Sequence, residues 1–417
     1  MREKMRSICT PADCTACGAC ENICPKQCVT RHMRDDDSWY LEIDDDQCVN
    51  CHMCDVVCPN KTSPKLNMPE KAFAVWANDP EEHRTSASGG IAAALYRYAL
   101  KQGMYIAGVV LDEKYEARFV VTNQEEYIER FKNSKYTFSH MDKIFKEAAA
   151  KLREREKLFF VGLPCQVAAM KNYMQRLHCG DNLIFVDLVC HGTPPPIYFS
   201  QHIQAISSIK KRNTDIISFR EPNYGTQNFC LTIYSDRAKT NVLYKKGVEE
   251  DDLYQIGYHK ALIYRECCYQ CHYAQHNRSG DITLGDYHGL GMLAPYTHER
   301  KEVSCVLLNT PKGMEFFEAV RTEGSVIAHE RPVREPMTYE KQMNHPSVAP
   351  PKQRKIFLDE YAVKKNYDKA ANIAFNAIVK QNRIRHIFNI NKIKLSIIHA
   401  IPRPIKENVK AVWRKMK

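Results

Sequence analysis

Two copies of one cysteine pattern within the first sixty residues constrain this chain more than anything else in it. Cys14, Cys17, Cys20 and Cys24, followed by Pro25, spell C-x2-C-x2-C-x3-C-P; Cys48, Cys51, Cys54 and Cys58, followed by Pro59, spell it again. At such spacing one loop wraps three thiolates around a single iron–sulfur cube, and the fourth, ahead of the proline, reaches across to the other cube. The reading is one 4Fe-4S cluster on Cys14, Cys17, Cys20 and Cys58 and a second on Cys48, Cys51, Cys54 and Cys24. Zinc normally needs only four ligands per closed site, and a disulfide framework belongs to small secreted chains. Neither explains eight cysteines in duplicate with both prolines. Residues 1–65 therefore read as an α+β, ferredoxin-like two-cluster module.

A chain of 417 residues has room for two or three domains and a substantial core. Met1 to Thr10 contains no apolar run of the signal-peptide kind, so the expectation is a cytoplasmic protein whose eighteen cysteines stay reduced and serve metal. Apolar stretches such as Leu395 to Ile401 are too short to cross a bilayer. The net charge of +11 is concentrated at one end: residues 353–417 hold 16 Lys and Arg against 4 Asp and Glu. A nearly neutral body with a basic tail lacking any recognition motif does not read as a nucleic-acid binder.

Lys61 to Glu70, with two prolines, reads as a linker. Beyond it, Thr85 to Gly90 (TSASGG) feeds a helical pattern over Ile91 to Gln102 that stops at Gly103. Such a loop either offers free N–H groups to an anion such as a phosphate or is a plain serine N-cap; both stay open. Met104–Leu111, Ala117–Thr122, Lys157–Val161, Leu183–Val189, Phe229–Tyr234, Asn241–Tyr244 and Val303–Leu308 read as strands, giving an α/β body with a mixed sheet. The expected divisions are 1–65, 70–150, 151–345 and 346–417, the last a helical basic tail beginning after Pro346, Pro350 and Pro351. Within Tyr367 to Ile393, Ile373, Phe375, Ile378 and Ile384 recur among lysines and arginines. That pattern fits a solvated helical extension, or docking to a partner or to an anionic membrane at the inner face.

Cys165 and Cys190 each follow a predicted strand, at the edge where open α/β sheets bind ligands. With Cys268 and Cys271 they offer four thiolates for a third 4Fe-4S cluster, Cys267 competing with Cys268. Free cysteine also packs as a small hydrophobe, and spacing alone does not choose. Cys9, Cys28, Cys179, Cys230, Cys267 and Cys305 are assigned to packing.

Ser86–Gly90 (SASGG), Asn133–Tyr136 (NSKY), Gly162–Ala168 (GLPCQVA), Asp187–Gly192 (DLVCHG) and Cys268–Gly289 (CYQCHYAQHNRSGDITLGDYHG) occur in one order across residues 70–345. In them the chain resembles the family of coenzyme F420 hydrogenase/dehydrogenase beta subunits. The resemblance implies an FAD-binding reductase, with Ser86, Ser88, Gly89, Gly90, Lys135 and Tyr136 at the flavin. It also makes Cys165, Cys190, Cys268 and Cys271 ligands of a cluster near it. The family often carries tryptophan where this chain has His288. His191, Asp281, Asp286 and His288 are the candidates for proton transfer. The expected function is an iron–sulfur flavoprotein oxidoreductase moving electrons between its clusters, FAD and a small organic substrate or the deazaflavin coenzyme F420. Ferredoxin or another redox protein would be donor or acceptor. The alternative is an electron-relay subunit docked on a partner oxidoreductase or membrane-associated complex.

Overall fold

The computed structural model describes residues 5–210, 216–236, 238–298 and 301–387. In the N-terminal module the strands Met5–Ser7, Trp39–Asp44 and Val29–Met33 form an antiparallel sheet with Trp39–Asp44 central. The two cysteine motifs fold alike. Each enters a five-residue helix, Ala19–Ile23 or Met53–Val57, through a left-handed residue, Gly18 (φ 79°) and His52 (φ 56°). Each helix stops where proline denies helical geometry to the residue before it. Cys24 (φ −68°, ψ 116°) and Cys58 (φ −70°, ψ 116°) are accordingly extended.

The body is built on a nine-stranded sheet. Its centre is parallel: Ile282–Asp286, Leu183–Leu188, Leu158–Gly162 and Tyr105–Leu111 run side by side in that order. Buried on both faces, Leu183–Leu188, Leu158–Gly162 and Tyr105–Leu111 carry the near-continuous apolar runs that parallel sheets require, while Ile282–Asp286 (ITLGD) is interrupted by Thr283 and Gly285. Antiparallel strands Ser304–Leu308, Lys71–Ala77 and Val326–Arg331 extend one flank, and Ala117–Thr122 with Ser139–His140 the other. A separate three-stranded sheet, Ile216–Ser218, Leu231–Tyr234 and Val242–Lys246, lies beside it.

Two packing results matter for the site. First, Ile8, Ile23, Ile43 and Val57 of the module share one hydrophobic cluster with Phe145, Val167, Met170 and Tyr173 of the body. Polar contacts reinforce the joint: Asn22 Nδ2 donates to Asp142 O (2.8 Å), Asn172 Nδ2 to Thr62 O (2.6 Å) and Tyr198 Oη to Asp36 O (2.8 Å).

Second, the expected solvated extension is corrected over its first part. The helices Pro351–Lys364 and Tyr367–Ala374 bury Phe357, Tyr361, Tyr367, Ala371 and, just after them, Phe375 against Tyr198, Phe199 and Tyr254. Phe357 and Phe375, fully buried, contribute about 2 kcal/mol each by area. Tyr361 Oη and Lys365 Nζ also reach Asp37 of the module, at 2.8 and 2.7 Å. Ile373 and Ile384 are the exposed members of the apolar set. The helix Asn376–Ile387 follows, and the expectation for 388–417 lies outside the described residues.

Candidate metal centres and adjoining cleft

The module gathers its cysteines in two groups, each three thiols from one motif and the proline-preceded thiol of the other. Cys14, Cys17, Cys20 and Cys58 line one cavity, with Cys9 beside them. Cys48, Cys51, Cys54 and Cys24 line a second, with Cys28 beside them. Among the described residues no three Cys, His, Asp or Glu side chains converge on a point that a single ion could occupy. Tetrahedral zinc needs such convergence, at about 2.0–2.3 Å per ligand, whereas thiols that surround a space suit a cluster with iron at its corners. The Cys9 thiol donates into the first group and lowers Cys14 to about 6. Burial pushes Cys17 up to about 12. Cys51 is exposed, while Cys17, Cys20 and Cys58 are buried, so the second group lies nearer the surface.

Parallel strand order assembles the third group. Cys165 starts the helix after Leu158–Gly162, and Cys190 follows the adjacent Leu183–Leu188, so both leave the same sheet edge. The short helix Glu266–Tyr269 and the turn after it bring up Cys268 and Cys271. Cys165 feels the charges of Cys271, Cys190 and Cys268, and Cys190 those of Cys268 and Cys271. A hydrogen bond from Cys267, then the Arg265 charge and the Thr193 N–H, lower Cys268 to about 5 against its burial. The Thr193 N–H lies 3.5 Å from Cys268 Sγ.

The flavin candidates fall into two places. The Ser86–Gly90 loop is occupied with its own surroundings: Ser86 Oγ donates to Glu82 Oε1 (3.0 Å), Gly89 N to Ser304 Oγ (2.9 Å), and Ser304 Oγ to Ser88 Oγ (3.2 Å). Any Cβ at Gly89 would stand 2.4 Å from Val75 O, and Gly90 (φ 78°) turns the chain into the helix Ile91–Lys101. The neighbouring Thr85 does face a groove of about 2200 Å³, together with Lys132 and Lys135. Lys135 Nζ donates to the carbonyls of Arg130, Phe131 and Lys132 at 2.7–3.0 Å. Burial, and then the charge of Arg130, lower Lys135 to about 7. Tyr136 turns the other way and stacks on Tyr258 at 4.3 Å.

The proton-transfer candidates separate as well. Asp286, at the carboxyl end of Ile282–Asp286, pairs with Arg220 (2.7 Å), whose guanidinium also donates to Thr226 O and lies over Phe229. His288 faces Glu340 at 3.2 Å. His191 is exposed and lies in the field of Glu340, His288, Asp286 and Arg220; the last two also act on Tyr136. Asp281 is not part of this cleft. It sits at the start of its strand, accepting from Phe185 N (2.9 Å) and Thr310 Oγ1 (2.8 Å), and so serves strand and helix packing. Arg220, His259 and Glu340 were missed in the sequence, where each is a single polar residue in an unremarkable stretch. Burial first, then the charges of His191 and Arg220, lower His259 to about 3, which keeps it neutral.

Residues 72–146 match the family model for the N-terminal part, and 155–333 that for the C-terminal part, of the coenzyme F420 hydrogenase/dehydrogenase beta subunit. The chain belongs to this family. Residues 13–62 match a 4Fe-4S dicluster domain, so this family member carries an iron–sulfur domain. One subunit of the F(420)H(2) dehydrogenase of Methanosarcina mazei is 29% identical over 170 residues, 38% of this chain and 47% of the relative. The match thus spans about half of that relative's length. A chain of the F420-reducing NiFe hydrogenase complex of Methanosarcina barkeri aligns with a TM-score of 0.40 and 17% identity, covering 75% of this chain and 93% of that one. Among the described residues no helix is long and apolar enough to cross a membrane.

Proposed function

We propose that this chain is an iron–sulfur flavoprotein oxidoreductase that moves electrons between three 4Fe-4S clusters, an FAD and a small organic substrate or deazaflavin. The observation that carries the reading is the continuity of the thiol groups. From the group near exposed Cys51 the path runs to the buried group at Cys14, then to Cys165, Cys190, Cys268 and Cys271, and from Cys190 past Tyr258 to Tyr136. All twelve assigned donors are thiols, the soft set that iron–sulfur clusters take. Cys268 rather than Cys267 is taken as the ligand, because it forms the C-x2-C pair with Cys271 and receives the Thr193 N–H at 3.5 Å.

An FAD bound here would supply the conversion between hydride chemistry, two electrons with one proton, and the single electrons that clusters pass. The groove bearing Thr85, Lys132 and Lys135 is large enough to receive it; Lys132 is held by Glu82 and Lys135 by three carbonyls, so Arg130 would be the cation to meet its phosphates. Ser86, Ser88, Gly89 and Gly90 would shape that wall from behind, with Tyr136 on the side toward Cys190. In the cleft, Arg220 and Asp286 would orient the substrate, and His288 with Glu340 at its back would exchange the proton with water. Ferredoxin-like organisation of residues 1–65, a flavin-binding body over 70–345 and a distinct C-terminal segment from 346 belong to the same proposal.

Anaerobic purification with iron and flavin counted per chain tests it. About twelve irons and one FAD are expected; about eight irons would remove the third cluster, and absence of flavin would remove the flavoenzyme. Cys165→Ser should lower the count by about four irons. The second reading is an electron relay within a larger assembly, and it draws on the two relatives' names, a subunit and a complex. Substrate turnover by the isolated chain excludes it; exchange with artificial dyes alone favours it.

A further inference from the structure

One buried cation lies between the first thiol group and the third. Arg265 is 3% exposed, and among the described residues no carboxylate pairs with it. Its Nη1 donates to Thr15 O (2.6 Å), in the loop between Cys14 and Cys17. On the other side Nε and Nη2 donate to Thr193 Oγ1 (3.2 and 3.1 Å), and the Thr193 N–H is the one directed at Cys268 Sγ. Phe138 covers one face of the guanidinium at 3.7 Å. Besides the neighbouring Cys267, the charges acting on Arg265 are those of Cys268 and Cys165 from the third group and Cys14 from the first. A buried guanidinium without a carboxylate is costly unless other negative charge surrounds it. Loaded thiolate sites on two sides provide that charge.

The second group has a different cation. Arg6 Nη2 lies 3.6 Å from Cys48 Sγ, but Arg6 is half-exposed and already paired with Asp45 at 2.9 Å. Solvent and the carboxylate screen it, whereas nothing of that kind screens Arg265.

We propose that Arg265 is a shared electrostatic element that raises the reduction potentials of the first and third centres together and leaves the second, outer centre low. A fixed positive charge in a low-dielectric interior favours the more negative, reduced form of any centre beside it. Joint adjustment keeps the two inner centres matched, so that an electron entering at the outer centre runs downhill to both. The proposal rests on the third centre assigned above.

The test uses the full chain, purified anaerobically, in wild-type form and as R265Q, R265M and R265K. Iron is counted for each, and the midpoints are read by redox titration followed by electron paramagnetic resonance. A neutral variant that keeps the wild-type iron count should lower two of three midpoints by about tenfold in the reduction equilibrium, or 59 mV for a one-electron couple. The midpoint of the second, outer centre should move less than about twofold, and R265K, which keeps the charge, should restore more than half of the shift in the other two. Equal shifts in all three centres, no shift, or equal shifts in R265K and the neutral variants would overturn the proposal. Loss of iron from all three variants would assign Arg265 to packing and overturn it too. A wild-type count of about eight irons would instead remove the third centre and the sharing with it, an outcome visible before any variant is titrated.

Discussion

Asp187→Asn should be among the most destabilising single substitutions in this chain. Asp187 is fully buried in the strand Leu183–Leu188, and its carboxylate accepts five hydrogen bonds. Oδ2 takes Ser279 N (2.9 Å), Ser279 Oγ (2.9 Å) and Gly280 N (3.1 Å); Oδ1 takes Thr283 Oγ1 (2.5 Å) and Arg278 Nη2 (3.3 Å). An amide can keep its oxygen toward Arg278 only by turning its NH2 toward two backbone N–H groups. Arg278, 2% exposed, then holds a positive charge with no carboxylate beside it. Removing one partner of a buried ion pair costs about 3–5 kcal/mol. Against a typical total stability of about 5–15 kcal/mol, that is a large fraction. Anaerobic denaturant titration of the wild type, D187N and the double variant D187N/R278M measures it. The midpoint should fall in D187N with the slope unchanged, and R278M should recover at least about 1 kcal/mol by removing the stranded charge. A cost under about 1 kcal/mol, or a second substitution that adds to the loss, would refute the reasoning.

Two further outcomes follow from the geometry. His202 is buried between Asp252 (3.2 Å) and Asp368 (2.9 Å); burial alone would lower it, but the two carboxylates raise it to about 10. The folded value exceeds the unfolded one of about 6.5, so this stabilisation is complete below pH 6.5 and is lost as pH rises toward 10, by up to about 1.4 kcal/mol per unit. Denaturation midpoints between pH 6 and 9.5 should fall more steeply in the wild type than in H202Q. Arg220→Gln leaves Asp286 without its 2.7 Å partner, and should lower kcat/KM by at least about tenfold while iron and flavin counts stay at wild type. An unchanged kcat/KM would place the cleft outside the reaction.

The cysteine motifs were legible because their information is local: spacing decides which thiols share a loop, and proline decides which one leaves it. Three strands of the parallel centre were legible for a similar reason, since strands buried on both faces show as unbroken apolar runs such as Leu183–Val186, whereas Ile282–Asp286 was not among the expected strands. Contacts between distant segments left no such mark. Arg265 meets Thr15 across 250 positions, and Arg220 meets Asp286 across 66. The SASGG loop was legible as a helix entrance, but Gly89 is required by the approach to Val75 O, which no local pattern encodes. In the C-terminal helices the abundant lysines concealed the stripe of Phe357, Tyr361, Tyr367 and Phe375, because charge count and buried face are independent properties of a helix.

The way the N-terminal module is fastened has a kinetic consequence. Electron carriers on flexible tethers spend part of each cycle searching for their acceptor, and their rates respond to solvent viscosity and linker length. Here the module shares a core with the body on one side and is gripped at Asp36 and Asp37 by Tyr198, Tyr361 and Lys365 on the other. It has no stroke to make. Internal transfer should therefore follow fixed tunnelling distances and be indifferent to viscosity, leaving to diffusion the encounter of an outside redox partner with the surface around Cys51 and the arrival of substrate.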